Sequence, residues 1–289
     1  MAEAVLHAWI ASGRQIAEVW SGEPERLGKA LGHPHIVFRD IGALRSPLPD
    51  APATADTLFT LFTLRIVPPR LIERFGRRGV NFHPALLPFY KGAVPRLAML
   101  KEEAAGRHGG VTAHVIESGL DEGPIIAQAA VRLGPTETGP AWEDRLALAA
   151  ARLMVVDVVA FLDGRGRAVP QDPEAGFYRR RIPGEFLIDS QKSVAEAEKI
   201  LWTGRRTVFV CRPDGGFSGR SHTFVNRFGR RLGPPTGKAA VWTPFRAELD
   251  LADGRVSLLR PSPGDKIMAA FRRRRRIRRA RSIGRAAQL

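Results

Sequence analysis

Apolar residues follow two different periods along the first half of the chain. From residue 2 to residue 12 the apolar positions recur at helical spacing, and Gly13 closes that pattern, so the chain is predicted to begin with a helix. Apolar runs suited to strands follow at 16–20 and 55–65, and a short helical pattern occupies 69–75. Strand and helix patterns that alternate in this way are typical of an α/β fold.

The same alternation continues to residue 162. The patterns predict two further helices, at 93–105 and 138–162, and two further strands, at 112–116 and 125–128. Thr138 is a candidate N-cap for the long helix, and Gly164 follows its last apolar position. In that helix an apolar stripe is predicted to pack in the core and not to contact a cofactor; it consists of Trp142, Leu146 and Val155.

The pattern changes at residue 169, where strand signals become short and are separated by Gly and Pro. Strands are predicted at 207–211, 238–243 and 255–259, which indicates a small β-rich C-terminal domain. The chain is therefore divided into a first domain (1–168), a linker with the small C-terminal domain (169–271), and an arginine-rich tail that is either disordered or helical (272–289).

Positive charge is concentrated in the tail. The chain of 289 residues has a formal net charge of +16, and nine arginines with no acidic residue lie between 272 and 285, which leaves +7 for the remainder. A charge excess of this size suggests a polyanionic partner. Three roles for the tail stay open: contact with RNA phosphates, contact with an anionic membrane, and a disordered solubilising end.

Cysteine usage and the N-terminal pattern limit the class of protein. The single cysteine, Cys211, excludes a disulfide framework and is expected to be a buried apolar thiol. The sequence contains no CxxC pair, and no cluster of His and Cys residues has the spacing of a zinc site, so no metal is expected. The N-terminus has neither a charged leader with an apolar core nor an apolar run long enough to span a bilayer, and a cytoplasmic location is expected.

Three polar residues stand where α/β sheets commonly place their sites. Asn81 and His83 are two positions apart at the end of a strand, so their side chains should project from the same side before Pro84 ends the strand. Asp121 comes from a second loop, 118–124, which is rich in Gly and Pro. Taken singly, each residue has an ordinary structural interpretation, because Asn and Asp in such loops usually cap or turn the chain.

Four ordered blocks between residues 64 and 128 link these residues. The blocks are Asn81-Phe82-His83-Pro84-Ala85-Leu86-Leu87-Pro88, Gly92-Ala93-Val94-Pro95, Gly110-Val111-Thr112-Ala113-His114 and Leu120-Asp121-Glu122-Gly123-Pro124-Ile125. Together they resemble the catalytic half of the formyltransferases that use 10-formyltetrahydrofolate. Ala85 replaces the serine that is usual in the first block. Four blocks in order are far more specific than one short motif.

The resemblance implies a fold and a site. It implies a Rossmann-like, mostly parallel sheet with helices on both faces, although the strand and glycine turn that precede the first helix in the family have no counterpart here. Either translation begins upstream of Met1 or the sheet lacks one strand. The implied catalytic residues are Asn81, His83 and Asp121. The implied contacts with 10-formyltetrahydrofolate, the expected cosubstrate, are Arg65, Ile66, Val67, Gly119 and Leu120.

The chemistry of formyl transfer suits the three implied catalytic residues. An amine that attacks the formyl carbon creates an oxyanion while its nitrogen becomes cationic. The Asn81 amide can donate to the oxyanion, a contribution of about 3 kcal/mol when such a donor is well placed. His83 can stabilise the same oxygen or shuttle the proton, and Asp121 would orient His83 and relay the proton.

The acceptor amine is suggested by a segment after residue 169. Tyr178 to Pro183, followed by Leu187-Ile188-Asp189, resembles formyltransferases that act on nucleotide-linked amino sugars. A solvated basic linker is the alternative for this segment. A nucleotide-linked amino sugar is therefore the preferred acceptor. The implied substrate contacts are Tyr90, Lys91, Tyr178 and Arg179.

Other functions remain open at this point. Methionyl-tRNA is the next acceptor considered, followed by a small amine such as hydroxyornithine. A non-catalytic basic binding protein is less favoured because Asn81, His83 and Asp121 are all present. A hydrolase that uses the same residues on water is less favoured because nothing that resembles the regulatory domain of the known deformylases precedes the catalytic part. The sequence does not indicate an oligomeric state.

Overall fold

The computed structural model describes residues 1–42, 47–180, 182, 185–203, 207–208, 223–225 and 227–288. The chain forms two compact units. The first unit consists of Met1–Glu137, Ala141–Arg180 and Arg273–Leu289, and the second of Thr138–Pro140 and Arg181–Arg272. The predicted strand at 207–211 is described only at 207–208, and Cys211 lies outside the described residues.

The first unit contains alternating strands and helices. Its helices are α1 (Ala2–Ala11), α2 (Pro24–Leu31), α3 (Pro69–Phe75), α4 (Pro95–Lys101), α5 (Ala105–His108), most of α6 (Gly139–Leu153) and α7 (Val159–Leu162). Its strands are β1 (Glu18–Ser21), β2 (Val37–Asp40), β3 (Leu58–Leu61), β4 (Gly79–His83), β5 (Gly110–Val115) and β6 (Ile125–Ala130).

The sheet of the first unit has the order β3-β4-β5-β6. β3 and β4 are parallel, whereas β5 is antiparallel to both β4 and β6. β1 and β2 form a separate parallel pair. On β4, Val80 and Phe82 are fully buried and belong to the core. Successive side chains of a strand point to opposite faces, so every second residue of β4 faces the core. The predicted α/β class, with a separate small β-rich domain, is confirmed.

Two predicted helices are each divided in the structure. The predicted helix at 93–105 becomes α4 and α5, because Glu103 between them adopts a positive φ of 58°, which does not continue a right-handed helix. The predicted helix at 138–162 becomes α6 and α7, joined by a π-helical turn at Met154–Val158. The stripe in this helix is buried as predicted; it consists of Trp142, Leu146 and Val155.

The second unit is built on an antiparallel sheet of order β10-β11-β12-β9. Its elements are α8 (Val194–Trp202), β7 (Thr207–Val208), β8 (Thr223–Phe224), β9 (Arg227–Gly233), β10 (Val241–Trp242), β11 (Arg246–Leu251), β12 (Gly254–Leu259) and the start of α9 (Pro263–Ala286). Ser193 and Glu196 cap α8 reciprocally. Apolar residues of α8 and the sheet, including Ile200, Leu249 and Leu258, form the core of this unit.

The arginine-rich tail, for which disorder and helix were both open, is the last half of α9. Ala280 and Gly284 are buried, and Gly284 lies against the backbone of Ala8 in α1. Arg273 Nε donates to Glu3 Oε2 at 3.0 Å, and Arg276 Nη1 donates to Asp144 Oδ1 at 2.5 Å. The tail is therefore packed on the first unit through one face of the helix.

Substituting Gly284 by Ala is expected to loosen this packing. A Cβ at position 284 would lie 2.1 Å from the carbonyl oxygen of Ala8 and 2.9 Å from the Cβ of Ala11. Overpacking of this kind costs about 1–3 kcal/mol of unfolding free energy, which outweighs the gain of up to about 1 kcal/mol that Ala brings to a helix. Thermal unfolding of the full chain measures the difference.

Gly264→Ala, in the first turn of the same helix, is the matched control. A Cβ there would meet only Ser262 Oγ, at 3.6 Å, so this variant should unfold at or above the temperature of the parent. Equal midpoints for Gly284→Ala and the parent would contradict the close contact between α1 and α9.

Candidate active site

The end of β4 and the residues of β5 that pair with it bring polar side chains together. In the register of these strands Asn81 lies opposite His114, and His83 lies opposite Thr112. Asn81 is half-buried, and the other three residues are buried. The site is thus built on the central strands of the sheet, where a rigid backbone fixes its side chains.

The loop between β5 and β6 carries Asp121. Asp121 has a positive φ of 56°, and a Cβ at Gly123 would lie 1.9 Å from the carbonyl oxygen of Val115, so the loop turns where only glycine fits. Gln171 Nε2 donates to the carbonyl oxygens of Asp121, at 2.9 Å, and Gly123, at 2.8 Å. The backbone N–H of Gly92 donates to Asp121 Oδ2 at 2.8 Å. These contacts fix the direction of the carboxylate.

The structure brings Asn81, His83 and Asp121 together. His83 Nδ1 lies 3.4 Å from Asp121 Oδ2, and Asn81 Nδ2 donates to Asp121 Oδ1 at 3.1 Å. The other ring nitrogen of His83, Nε2, lies 2.9 Å from the carbonyl oxygen of Tyr90. One carboxylate therefore contacts both an amide and an imidazole.

The partners of His83 determine where it can exchange a proton. A carbonyl oxygen only accepts hydrogen bonds, so Nε2 of His83 carries a hydrogen and donates to Tyr90. Nδ1 is then the atom that gains or loses a proton, and it faces Asp121. Burial lowers the pKa of His83, against the opposing effects of the Asp121 charge and the Tyr90 carbonyl. His83 therefore has a free acceptor position at Nδ1 near neutral pH.

Asp121 is held as a carboxylate. Burial alone would raise its pKa, but the neighbouring imidazoles of His114 and His83 and the hydrogen bond from the Gly92 N–H together lower it below the usual value. A buried carboxylate that stays ionised can stabilise a cation that forms beside it and can accept a proton from that cation.

Two contacts of Asn81 were not predicted from the sequence. Thr60 Oγ1 donates to Asn81 Oδ1 at 2.5 Å, and Asn81 Nδ2 lies 2.9 Å from His114 Nε2. His114 Nδ1 donates to the carbonyl of Val115 at 2.8 Å, which leaves Nε2 as an acceptor for the amide. His114 stands in the third sequence block, but its place beside Asn81 follows from the register of β4 and β5, which the sequence did not reveal.

The residues predicted to contact folate lie in two loops. Arg65, Ile66 and Val67 follow β3, and β3 is parallel to β4, so their loop leaves the sheet at the same end as His83. Ile66 is 79% exposed and Leu120 is 51% exposed, a large exposure for apolar side chains. Gly119 lies beside the carboxylate of Glu122. Both loops thus carry an exposed apolar side chain.

The four predicted substrate contacts take part in two internal networks. Tyr90 is buried, and its hydroxyl donates to Glu102 Oε2 at 2.7 Å, while Arg179 Nε donates to Glu102 Oε1 at 2.6 Å. Lys91 is buried, with Nζ 3.8 Å from Glu122 Oε1 and 5.2 Å from the ring centroid of Tyr178. The exposed Tyr178 donates to the same Glu122 carboxylate. These residues connect the segment after residue 169 to the loop that follows His83.

Gln171→Leu is expected to misplace the Asp121 loop. The substitution leaves the carbonyls of Asp121 and Gly123 without their side-chain donor, at about 1–3 kcal/mol of stability. We expect kcat to fall about tenfold, since small displacements at a reacting centre are costly, with a smaller change in KM. Gln191→Leu, which replaces an exposed amide, is the control. A parental kcat in Gln171→Leu, together with a lowered unfolding midpoint, would restrict Gln171 to a structural role.

Membrane-spanning helices and metal-binding clusters are both absent from the described part of the chain. No helix there is long and apolar enough to cross a bilayer. No group of three or more His, Cys, Asp or Glu residues among those described is arranged to hold a metal ion.

Comparison with known sequences gives a consistent family. The formyl transferase family model matches residues 51–158. A methionyl-tRNA formyltransferase from Heliobacterium modesticaldum is 33% identical, and the similarity covers 94% of this chain and 93% of that protein. Another, from Roseobacter denitrificans, is 32% identical over 68% of each chain.

A solved structure shares the fold. A 4-N formyltransferase from Francisella tularensis superimposes with a TM-score of 0.56, at 16% identity, over 78% of this chain and 93% of that chain. The matched model covers all four blocks and the three polar side chains that meet at the end of β4.

Proposed function

This chain belongs to the formyltransferase family that uses formyltetrahydrofolate, and we propose that it moves the formyl group of 10-formyltetrahydrofolate to the primary amine of methionyl-tRNA. The observation that carries formyl transfer is the joint placement of Asn81, His83 and Asp121 around one carboxylate. An amide donor, a ring nitrogen with a free acceptor position and an ionised carboxylate are the groups that this reaction requires.

Methionyl-tRNA is supported as acceptor by similarity that includes the second unit. The Heliobacterium relative, which bears that activity in its name, matches 94% of this chain. The preference for a nucleotide-linked amino sugar rested on Tyr178 to Pro183. Within the described residues, Tyr178 and Arg179 make their contacts with Glu122 and Glu102, and the side chain of Arg179 is largely buried. Arg181 and Pro183 lie outside the described residues.

Asn81 acts on the oxygen of the formyl group. As the amine nitrogen bonds to the formyl carbon, the carbonyl oxygen gains negative charge, and the Asn81 amide donates to it. Both Nδ2 hydrogens have partners in the structure, Asp121 and His114, so one of these bonds gives way to the oxyanion. Thr60 holds the amide oxygen and keeps Nδ2 directed at the site.

His83 and Asp121 move the proton. The attacking nitrogen loses a proton, which His83 accepts at Nδ1 beside the Asp121 carboxylate. The bond from the formyl carbon to the folate nitrogen then breaks, and that nitrogen receives the proton. No covalent enzyme intermediate is needed, so no cysteine or serine nucleophile is required.

The exposed apolar side chains in the loop after β3 and in the Asp121 loop suit the pterin part of the cosubstrate. The exposed Ile66 and Leu120 can cover a flat heterocycle, and Arg65 and Val67 flank them in the same proposed contact surface. Gly119 belongs to the same proposed contact surface, and its lack of a side chain leaves room for the Glu122 carboxylate.

Product mass identifies the acceptor. The full chain is incubated with 10-formyltetrahydrofolate and either methionyl-tRNA or a panel of nucleotide-linked amino sugars. We expect the methionyl group to gain the mass of one formyl group in place of hydrogen. Formylation of a sugar with no reaction on methionyl-tRNA would overturn the proposed acceptor while retaining formyl transfer.

A further inference from the structure

The outward face of the last half of α9 is a dense row of cations. We define this arginine face by its four central members, Arg274, Arg275, Arg278 and Arg279, all of which are exposed. Among the described residues none of the four forms an ion pair, although Arg273 and Arg276 on the opposite face do. Charge here is thus directed outward and is not neutralised by the surface around it.

The packing of the helix fixes the direction of this face. Ala280 and Gly284 are buried, Ile283 packs against the core of the first unit, and the Glu3 and Asp144 carboxylates hold the inward arginines. The four outward arginines are therefore presented from a docked helix. A ligand that binds such a face orders less of the chain than a ligand that binds a disordered tail, so the entropic cost of binding is smaller.

The spacing of the arginines suits a repeating anion. Arg274 and Arg278 are one turn apart, as are Arg275 and Arg279, and a turn rises 5.4 Å. Arg285 extends the series, so the cations span about 16 Å along the helix. A compact ligand with two or three negative charges cannot engage this length, whereas a nucleic-acid backbone carries a phosphate on every nucleotide and can face several of these cations at once.

We propose that the arginine face binds the phosphate backbone of the acceptor RNA, a contact outside the catalytic groups at the end of β4. This inference rests on the proposed function, because it assigns to the tRNA acceptor a second contact surface. Its effect is on acceptor affinity, so it acts through KM for the tRNA and through the dependence of binding on salt.

A lipid surface is the competing occupant and fits less well. Helices that lie on membranes insert large apolar side chains below the headgroups. On α9 the apolar side chains after residue 272, Ile277 and Ile283, are partly buried, and the exposed positions there are Arg, Ser, Ala or Gln. The exposed Ile267, Met268 and Phe271 precede the arginine face, so an anionic vesicle belongs in the test.

The test replaces the four arginines together by Gln in the full chain. Binding of methionyl-tRNA without cosubstrate is measured at several salt concentrations, and formylation kinetics are measured in parallel. We expect affinity to fall at least tenfold at moderate salt and the log–log salt slope to fall by about 3, since each lost phosphate contact removes about 0.7–0.9 from it. The kcat at saturating tRNA and the unfolding midpoint should not change.

The matched control carries the same loss of charge elsewhere. Arg26, Arg132, Arg152 and Arg167 are also exposed, and their combined replacement by Gln should leave affinity and slope near those of the parent. Equal slopes for the arginine-face variant and the parent would overturn the inference. The inference would also be overturned if vesicles of phosphatidylserine and phosphatidylcholine bound the parent through this face and the four substitutions left tRNA binding unchanged.

A failure of the proposed function can be distinguished from a failure of this inference. If the parent does not formylate methionyl-tRNA, the proposed acceptor is wrong, and binding without cosubstrate still decides whether the arginine face binds RNA.

Discussion

Asp121→Asn is expected to lower kcat for formyl transfer by about three orders of magnitude. The amide has nearly the shape of the carboxylate, but it can neither accept the proton nor stabilise an imidazolium at His83, and general acid–base groups contribute about 10²–10⁴-fold. The hydrogen bond from the Gly92 N–H can persist, because the amide oxygen still accepts. Single-turnover kinetics with saturating cosubstrate measure the chemical step.

The pH dependence of this variant has a definite sign. The Asp121 charge raises the pKa of His83, so its removal should lower that pKa further below the usual value. The acid limb of the residual activity should therefore move to lower pH. The ionisation of the acceptor amine affects the rates of the variant and the parent equally, so it cancels when one rate is divided by the other at each pH. An NMR titration of the His83 imidazole measures the same pKa shift without catalysis.

Asp163→Asn is the matched control for Asp121→Asn. Asp163 is an exposed carboxylate paired with arginines in the same unit, so its loss should leave kcat and the pH profile unchanged. A residual pH profile in Asp121→Asn that matched the parent would remove Asp121 from proton transfer.

Part of the site was predictable because it depends on local order in the sequence. Asn81 and His83 are two residues apart on one strand, so the period of a strand alone places them on one side. The Gly and Pro residues around Asp121 predict a tight loop, and a loop that joins two strands returns to the sheet near its edge. The meeting of the three residues was implied by the family resemblance, and in the structure the Asp121 carboxylate lies 3.1 Å from Asn81 Nδ2 and 3.4 Å from His83 Nδ1.

The rest of the site depends on pairing between distant segments. His114 contacts Asn81 because of the register of β4 and β5, and Gln171 reaches Asp121 from 50 residues away. Thr60 contacts Asn81 because β3 pairs with β4 in parallel. A single sequence contains propensities and periods but no register, so these partners could be found only from the folded chain.

The tail shows the same limit. Nine arginines in a short segment leave a disordered end and a helix both open on composition alone. The packing of Gly284 on Ala8, and the pairing of Arg273 with Glu3, join the two ends of the chain. Small residues at one-turn spacing, Ala280 and Gly284, were the available signal, and the surrounding charge concealed it.

His83→Gln is expected to lower kcat by about two to three orders of magnitude, with little change in KM for the cosubstrate. Gln can donate to the Tyr90 carbonyl as Nε2 does, but it has no nitrogen that accepts a proton beside Asp121. The parent loses its proton acceptor as the pH falls through the pKa of His83, which burial places below the usual value, whereas the variant has no such group to lose. The ratio of the kcat of the variant to that of the parent should therefore rise as the pH falls through this range.

His108→Gln, in the aromatic cluster of Phe89 and Phe177, is the control and should retain the parental rate. If His83→Gln folded with the parental unfolding midpoint and kept the parental kcat at neutral pH, proton transfer would have to be assigned to another group.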